Sequence, residues 1–376
     1  MPQDLETDEF YMRHAINVAK RAWGDTHPNP MVGAIIVERD RIVAEGWHER
    51  AGGDHAEVAA IKALGHRPRY DATLYVTLEP CSTHGRTGPC TEAIIQRGFA
   101  RVVIGARDPN PKHAGRGIDI LREAEIEVVE GVLADECTDM NLIFNHYIVR
   151  ETPFIAAKVA MTLDGKIATR RRHSHWVTGD ESRADVHQWR RLFPAIAVGA
   201  GTVIADDPAL TSRREGEPVF CPVRFVFDRQ LRLADHLQCK VFTDEHRAKT
   251  VLVTQAEVDQ IRLRRIKSAG VTVWEIPNDP AGLFYKVFQK KCLMENLTGV
   301  MVEGGCGLLS DMLAECLIDY LLCYRAPKLL ADSQALPAFT GLNTSEMADA
   351  IVLSEPRHVL FGQDVFTRGF MEYPVE

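Results

Sequence analysis

The sequence predicts two α/β domains in tandem, over residues 1–149 and 150–376. Three observations carry this. Apolar strand-like runs alternate with helix-period segments along most of the chain, the pattern of layered α/β domains. Arg150-Glu151-Thr152-Pro153 breaks the series near residues 147–152. The length, 376 residues with 45% hydrophobic and 26% charged, suits two or three folded domains and excludes general disorder.

In the first domain, Asp8–Trp23 carries Met12, Ala15, Ile16 and Ala19 at helical spacing. His27-Pro28-Asn29-Pro30 then breaks the chain. Val32–Val37 reads as a buried strand and Arg41–Gly46 as its hairpin partner. A helix follows over His55–Leu64, then a strand at Thr73–Leu78. Thr91–Arg97 reads as helix, Arg101–Ala106 as strand, Ile118–Ala124 as helix and Ile126–Val129 as strand. In the second domain the strands are Phe154–Met161, Ala195–Gly199, Arg224–Asp228, Lys249–Thr254, Val271–Ile276, Leu297–Glu303, Asp319–Arg325 and Asp364–Tyr373. Helices are expected over Asp180–Arg191 and Leu308–Glu315.

The net charge is −8. Residues 1–150 hold 17 Lys+Arg against 23 Asp+Glu, and neither part has a basic arm. That argues against a nucleic-acid partner, though not against a small phosphate ligand in a local basic pocket. The nine cysteines are scattered and odd in number, so they form no disulfide scaffold. No apolar run approaches a membrane span, and the acidic start lacks a signal-peptide core. A cytoplasmic protein with reduced thiols is expected.

The sharpest chemical signal is His55-Ala56-Glu57 followed by Pro80-Cys81 and Cys90. One imidazole and two thiolates can hold zinc and leave its fourth position for water. Glu57, close to that water, suits proton transfer rather than ligation, which is the logic of zinc deaminases. The Cys81-x8-Cys90 spacing departs from the usual Cys-x2-Cys. A purely structural zinc site would need a fourth protein ligand, which His84 could supply.

With His27-Pro28-Asn29-Pro30-x-Val32-Gly33, Asp108-Pro109-Asn110-Pro111 and Gly115-Arg116-Gly117, these motifs resemble the bacterial bifunctional riboflavin-biosynthesis deaminase–reductases. The resemblance implies a cytidine-deaminase-like three-layer α/β/α domain that deaminates 2,5-diamino-6-ribosylamino-4(3H)-pyrimidinone 5′-phosphate. Its zinc ligands would be His55, Cys81 and Cys90, with Glu57 as proton carrier and Asn29 near the substrate. His84 and Arg86 are either pocket residues or loop-stabilising contacts. Asp108 and Asn110 are either turn formers or substrate contacts.

The rest of the chain lacks an opening Gly-x-Gly-x-x-Gly, so a Rossmann domain is not expected. Lys158-Val159-Ala160-Met161-Thr162-Leu163-Asp164-Gly165-Lys166, Trp176-Val177-Thr178, Gly201–Thr211 and Val302-Glu303-Gly304-Gly305 resemble the reductase half of the same family. This implies a dihydrofolate-reductase-like α/β domain that reduces the ribosyl side chain to ribityl with NADPH. Ala160, Trp176, Thr202, Asp206 and Gly305 would contact the cofactor. Ser174, Arg190, Leu210, Arg213 and Glu303 would contact substrate, with Arg190 and Arg213 on its phosphate. Arg170-Arg171-Arg172-His173 is either a solvated loop or extra positive potential for the cofactor's 2′-phosphate. The resemblance also implies a homodimer.

The competing readings are a zinc deaminase of another nucleobase with a non-catalytic nucleotide-binding second domain, a nucleic-acid base deaminase, and a zinc-stabilised binding protein.

Overall fold

The structure is a computed structural model that describes residues 5–83, 88–277 and 283–374. The chain separates into two compact units, Met1–Glu151 and Thr152–Glu376.

The first unit is built on strands β1 (Gly33–Glu38), β2 (Arg41–Trp47), β3 (Thr73–Leu78), β4 (Arg101–Ala106) and β5 (Glu127–Glu130), ordered β2-β1-β3-β4-β5. β1 runs antiparallel to β2 and β3, while β3, β4 and β5 are parallel. β1 and β3 are buried at every position, as strands covered on both faces must be. The covers are helices α1 (Leu5–Ala19), α2 (Ala56–Leu64), α3 (Cys90–Arg97) and α4 (Arg116–Glu123).

Two glycines show that α1 and α2 lie on opposite faces. A Cβ on Gly33 would stand 2.2 Å from Ala15 O of α1, and one on Gly46 would stand 2.1 Å from Ala60 N of α2. Gly46 pairs with Ala34, the neighbour of Gly33, and successive strand residues face opposite ways. The unit is therefore a three-layer α/β/α sandwich. α1 is docked by a buried polar knot: Asp8 accepts from Tyr75 Oη at 2.8 Å and from Arg101 Nη2 at 2.7 Å.

The expected first helix is shifted and shorter: it starts at Leu5 and gives way to a tight 3-10 turn at Lys20–Ala22. α5 (Ala134–Asp139) and α6 (Leu142–Arg150) were not expected from the sequence. α5 is too short and acidic to show a periodic apolar face.

The second unit holds β6 (Phe154–Thr162), β7 (Lys166–Ala168), α7 (Asp180–Leu192), β8 (Ala195–Gly199), α8 (Ala200–Asp206), β9 (Val223–Phe227), α9 (Lys240–Thr243), β10 (Thr250–Gln255), α10 (Gln260–Ser268) and β11 (Thr272–Ile276). It continues with α11 (Leu283–Met294), β12 (Gly299–Val302), α12 (Cys306–Ala314), β13 (Tyr320–Ala326), β14 (Leu336–Pro337), β15 (Val352–Phe361) and β16 (Asp364–Glu372). Nine strands form one sheet, ordered β11-β10-β9-β8-β12-β6-β13-β16-β15. The first seven are parallel, and β16 and β15 add an antiparallel edge. β12 is shorter than the expected Leu297–Glu303, and α12 begins two residues before the expected Leu308, because Gly304-Gly305 ends the strand and caps the helix. β15 was missed because Ser354-Glu355-Pro356-Arg357-His358 interrupts its apolar residues, and its register slips between Ser354 and Arg357, around Pro356.

One buried ion pair ties this unit together. Arg224 on β9 has no solvent exposure and donates to Asp244 from Nη1 at 2.6 Å and from Nη2 at 2.8 Å. Nη1 also donates to Ala209 O, anchoring the segment before Leu210. Replacing Asp244 with Ala should leave a buried, unpaired guanidinium and cost about 3–5 kcal/mol. Urea unfolding of the second unit should register that loss.

Candidate active sites

In the first unit, the key side chains stand at helix starts. His55 is the N-cap of α2, Glu57 lies in its first turn, and Cys90 is the first residue of α3. Cys81 follows β3 after Glu79-Pro80. Ligand atoms of His55, Cys81 and Cys90 all lie within 4.8 Å of one another. His55 Nδ1 stands 3.2 Å from Cys90 Sγ and 3.5 Å from Cys81 Sγ. Zinc at its usual bond lengths needs tetrahedral neighbours about 3.5–3.8 Å apart, so the trio fits that ion. The chemistry of the donors agrees. Cys81 Sγ also accepts from Cys90 N at 3.3 Å. The Cys90 contact and His55 draw the Cys81 thiol down to about 4, whereas contact with Cys81, followed by burial, pushes Cys90 up. Two touching sulfurs resist carrying two charges until a cation sits between them.

Glu57 is 3% exposed, and burial pushes its carboxyl up to about 7. Asn29 is joined to this cluster through His48. His48 Nδ1 lies 2.9 Å from Asp54 O, which can only accept, so this nitrogen carries the proton. His48 Nε2 then accepts from Asn29 Nδ2 at 3.0 Å, and the His48 ring packs edge-on against His55. His84 and Arg86 lie outside the described residues.

The second unit contains a cavity of about 1060 Å³ at the carboxyl ends of β6, β8, β9 and β12, where open α/β sheets place ligands. All ten residues expected at the reductase site line it: Ala160, Ser174, Trp176, Arg190, Thr202, Asp206, Leu210, Arg213, Glu303 and Gly305. Gly305 N donates to Thr202 Oγ1 at 3.1 Å, and Ser174 Oγ donates to Asp206 Oδ1 at 3.2 Å. A Cβ on Gly201 or Gly307 would meet no protein atom within 4 Å, so both walls are open to a ligand. Together with the start of α12, this suits the pyrophosphate of a dinucleotide. Trp176 is 66% exposed, so it is a rim residue and not core, and Arg183 stacks on its ring at 4.3 Å.

Arg190, expected on the substrate phosphate, lines the cavity with its guanidinium engaged by protein groups. It donates to Glu303 from Nε at 2.5 Å and from Nη2 at 2.9 Å, and from Nη1 to Thr211 O. Lys158 approaches Glu303 from β6 at 3.4 Å. Burial raises the Glu303 pKa, but Arg190 and Lys158 outweigh it and hold this carboxyl at about 2. The basic run also divides. Arg170 is held by Asp332 in a two-pronged pair, while Arg172 lines the cavity.

Sequence reasoning gave no role to Lys158, His187 or His48. Lys158 had a signal: a lone cation inside an otherwise apolar strand. Burial, with Arg190 and Arg213 nearby, lowers His187 to about 4, so it is neutral near pH 7. Its Nδ1 accepts from Arg213 N. His187 shows only in the fold, because Arg213 is far from it in sequence.

The folds and sites define a zinc-dependent deaminase domain joined to an NADPH-dependent, dihydrofolate-reductase-like domain. Comparison with known proteins agrees. Residues 5–106 match the cytidine and deoxycytidylate deaminase zinc-binding region, and residues 153–366 match the RibD C-terminal domain. The riboflavin biosynthesis protein RibD of Actinobacillus pleuropneumoniae is 41% identical over 359 residues, covering 96% of this chain and 94% of that protein. That of Escherichia coli (strain K12) is 37% identical, covering 95% and 98%. The solved structure of Acinetobacter baumannii RibD superposes with a TM-score of 0.81 at 33% identity, covering 98% of this chain and all of that one. The chain belongs to the RibD family of bifunctional riboflavin-biosynthesis deaminase/reductases. Among the described residues, no helix is long and apolar enough to cross a membrane.

Glu303 should contribute stability that is fully present above its ordinary value of 4.5 and lost as pH falls towards about 2. Unfolding of the second unit, followed by urea titration between pH 6 and pH 2, should weaken across that window. Glu303→Gln should flatten the dependence.

Proposed function

We propose that this chain deaminates 2,5-diamino-6-ribosylamino-4(3H)-pyrimidinone 5′-phosphate in residues 1–149 and reduces the ribosyl side chain of the product in residues 150–376. The observation that carries the first step is the contact trio His55, Cys81 and Cys90 with Glu57 buried beside it. The trio would hold zinc, which when bound makes a water nucleophilic near neutral pH. Glu57 takes the proton as water adds to the amino-bearing ring carbon, and returns it as the C–N bond breaks and ammonia leaves. Asn29, oriented by His48, would contact the pyrimidine. His84 and Arg86 belong to the same proposed site.

For the second step, Ala160, Trp176, Thr202, Asp206 and Gly305 would hold NADPH, whose chemistry is hydride transfer. Ser174, Leu210, Arg213 and Glu303 would hold the substrate. Arg213 is the better phosphate partner, since Arg190 is committed to Glu303. Arg190 therefore acts chiefly by keeping Glu303 charged and oriented. The Glu303–Lys158 contact puts a carboxylate and an ammonium together in the cavity, able to orient sugar hydroxyls and deliver a proton. A cytoplasmic homodimer completes this reading, and light scattering tests the assembly.

Glu57→Ala should retain one zinc per chain while ammonia release falls at least ~10²-fold. Undiminished release would remove Glu57 from the mechanism. Chelation should abolish deamination and leave NADPH oxidation with the deaminated intermediate intact. No NADPH turnover with that intermediate would instead make the second unit a binding domain.

Gly201→Val would project a branched side chain into the cavity. The KM for NADPH should rise about tenfold or more, a loss of at least ~1.4 kcal/mol of binding. Initial rates with varied NADPH measure this, and deamination in the same chain serves as the control.

A further inference from the structure

Glu79 is buried, two residues before Cys81. Oε2 accepts from Asp108 N at 3.1 Å and from Gly115 N at 2.9 Å, and Oε1 accepts from Gly117 N at 2.8 Å. Three backbone donors, two from one loop and one from the first turn of α4, thus converge on one side chain. Those donors bracket the two motifs Asp108-Pro109-Asn110-Pro111 and Gly115-Arg116-Gly117, to which the chemistry above gives no role.

The loop has its own shape before Glu79 acts on it. Asp108 Oδ1 accepts from Asn110 N, Asn110 Oδ1 accepts from Lys112 N, and Asn110 O accepts from both His113 N and Ala114 N. Glu79 attaches this preformed loop to the turn that carries Cys81. The joint is tight: a Cβ on Gly117 would stand 2.2 Å from Pro80 O. Gly115, at a φ of +82°, supplies the left-handed corner that aims its N–H at the carboxylate. Each side of the joint also carries a buried polar atom with no hydrogen-bond partner among the described residues, Ser82 Oγ and His113 Nδ1. Such orphaned atoms point to a polar ligand there.

An uncharged side chain could have filled the space. What the carboxylate adds is strong, simultaneous acceptance from three N–H groups. We propose that Glu79 is a positioning residue of the deaminase: it locks the Asp108–Gly117 loop against the Pro80–Cys81 turn, so that the loop forms a wall of the pyrimidine site. It acts on substrate binding and not on zinc retention. This rests on the deaminase reading above.

The test compares Glu79→Gln and Gly117→Ala with the wild-type full chain. Glutamine presents an amide N–H₂ to at least one backbone donor, and alanine pushes the loop off Pro80 without changing charge. In both variants, the KM for the pyrimidine should rise about tenfold or more, with kcat within about threefold. Zinc should stay at one per chain, and NADPH oxidation should be unchanged. Hydrogen exchange at the Asp108, Gly115 and Gly117 amides should accelerate in Glu79→Gln. An unchanged KM overturns the proposal, as does zinc loss in step with activity in both variants, which would make the clamp a support for Cys81. Absence of deamination in the wild type would overturn the deaminase reading itself.

Discussion

Two sulfurs held in contact with one imidazole set the terms for the first unit. Bare, such a pair repels any second negative charge, so the scaffold has to force the contact from outside. It does so with backbone. His55 and Cys90 stand at the starts of α2 and α3, and Cys81 follows a strand that is buried along its whole length. Helix N-termini favour thiolates, which lessens the repulsion that the scaffold must overcome. The same geometry places Glu57 one residue inside α2, in a dry environment that makes its carboxyl hold a proton more tightly than an exposed glutamate would.

The second unit solves the opposite problem. There a lone buried carboxylate, Glu303, is kept ionised by cations from two other elements, Arg190 on α7 and Lys158 on β6. Burial alone would neutralise it; the paired cations win. The cavity therefore has a fixed charge pattern before any ligand arrives, and preorganised charge of this kind is what a hydride-transfer site needs from its protein. In the proposed reading, the two units thus reach reactivity by different routes, one through a metal-binding cluster and the other through a balanced ion network.

Most strands were legible in the sequence because they are apolar runs ended by turn residues. Thr73–Leu78, Arg101–Ala106 and Ala195–Gly199 have the same bounds in both readings. The convergence of His55, Cys81 and Cys90 was legible too, since His-x-Glu and Pro-Cys are local patterns. Elements with a solvated face were hidden. α10 carries four basic residues among nine and owes its start to the Asp259 cap rather than to an apolar stripe. Contacts between distant residues were hidden for another reason. Glu79 meets Gly117 and Arg190 meets Glu303 only after folding, and no spacing rule links them. Arg190 in particular reads as a free phosphate ligand until its partner is seen.

The Gly46–Ala60 contact has a consequence for the whole deaminase centre. The hairpin strand touches the backbone of α2 with no side chain between them, so this helix has no cushion. A single added methyl would have to move α2 as a rigid rod, and His55 and Glu57 ride at its end. A displacement of about 1 Å can cost on the order of 10²-fold in rate. The tolerance of the proposed catalytic centre is thus set by a missing side chain at Gly46, where a Cβ would also stand 2.5 Å from the O of Ala56, the residue between His55 and Glu57, which makes a hairpin glycine the depth gauge of the site.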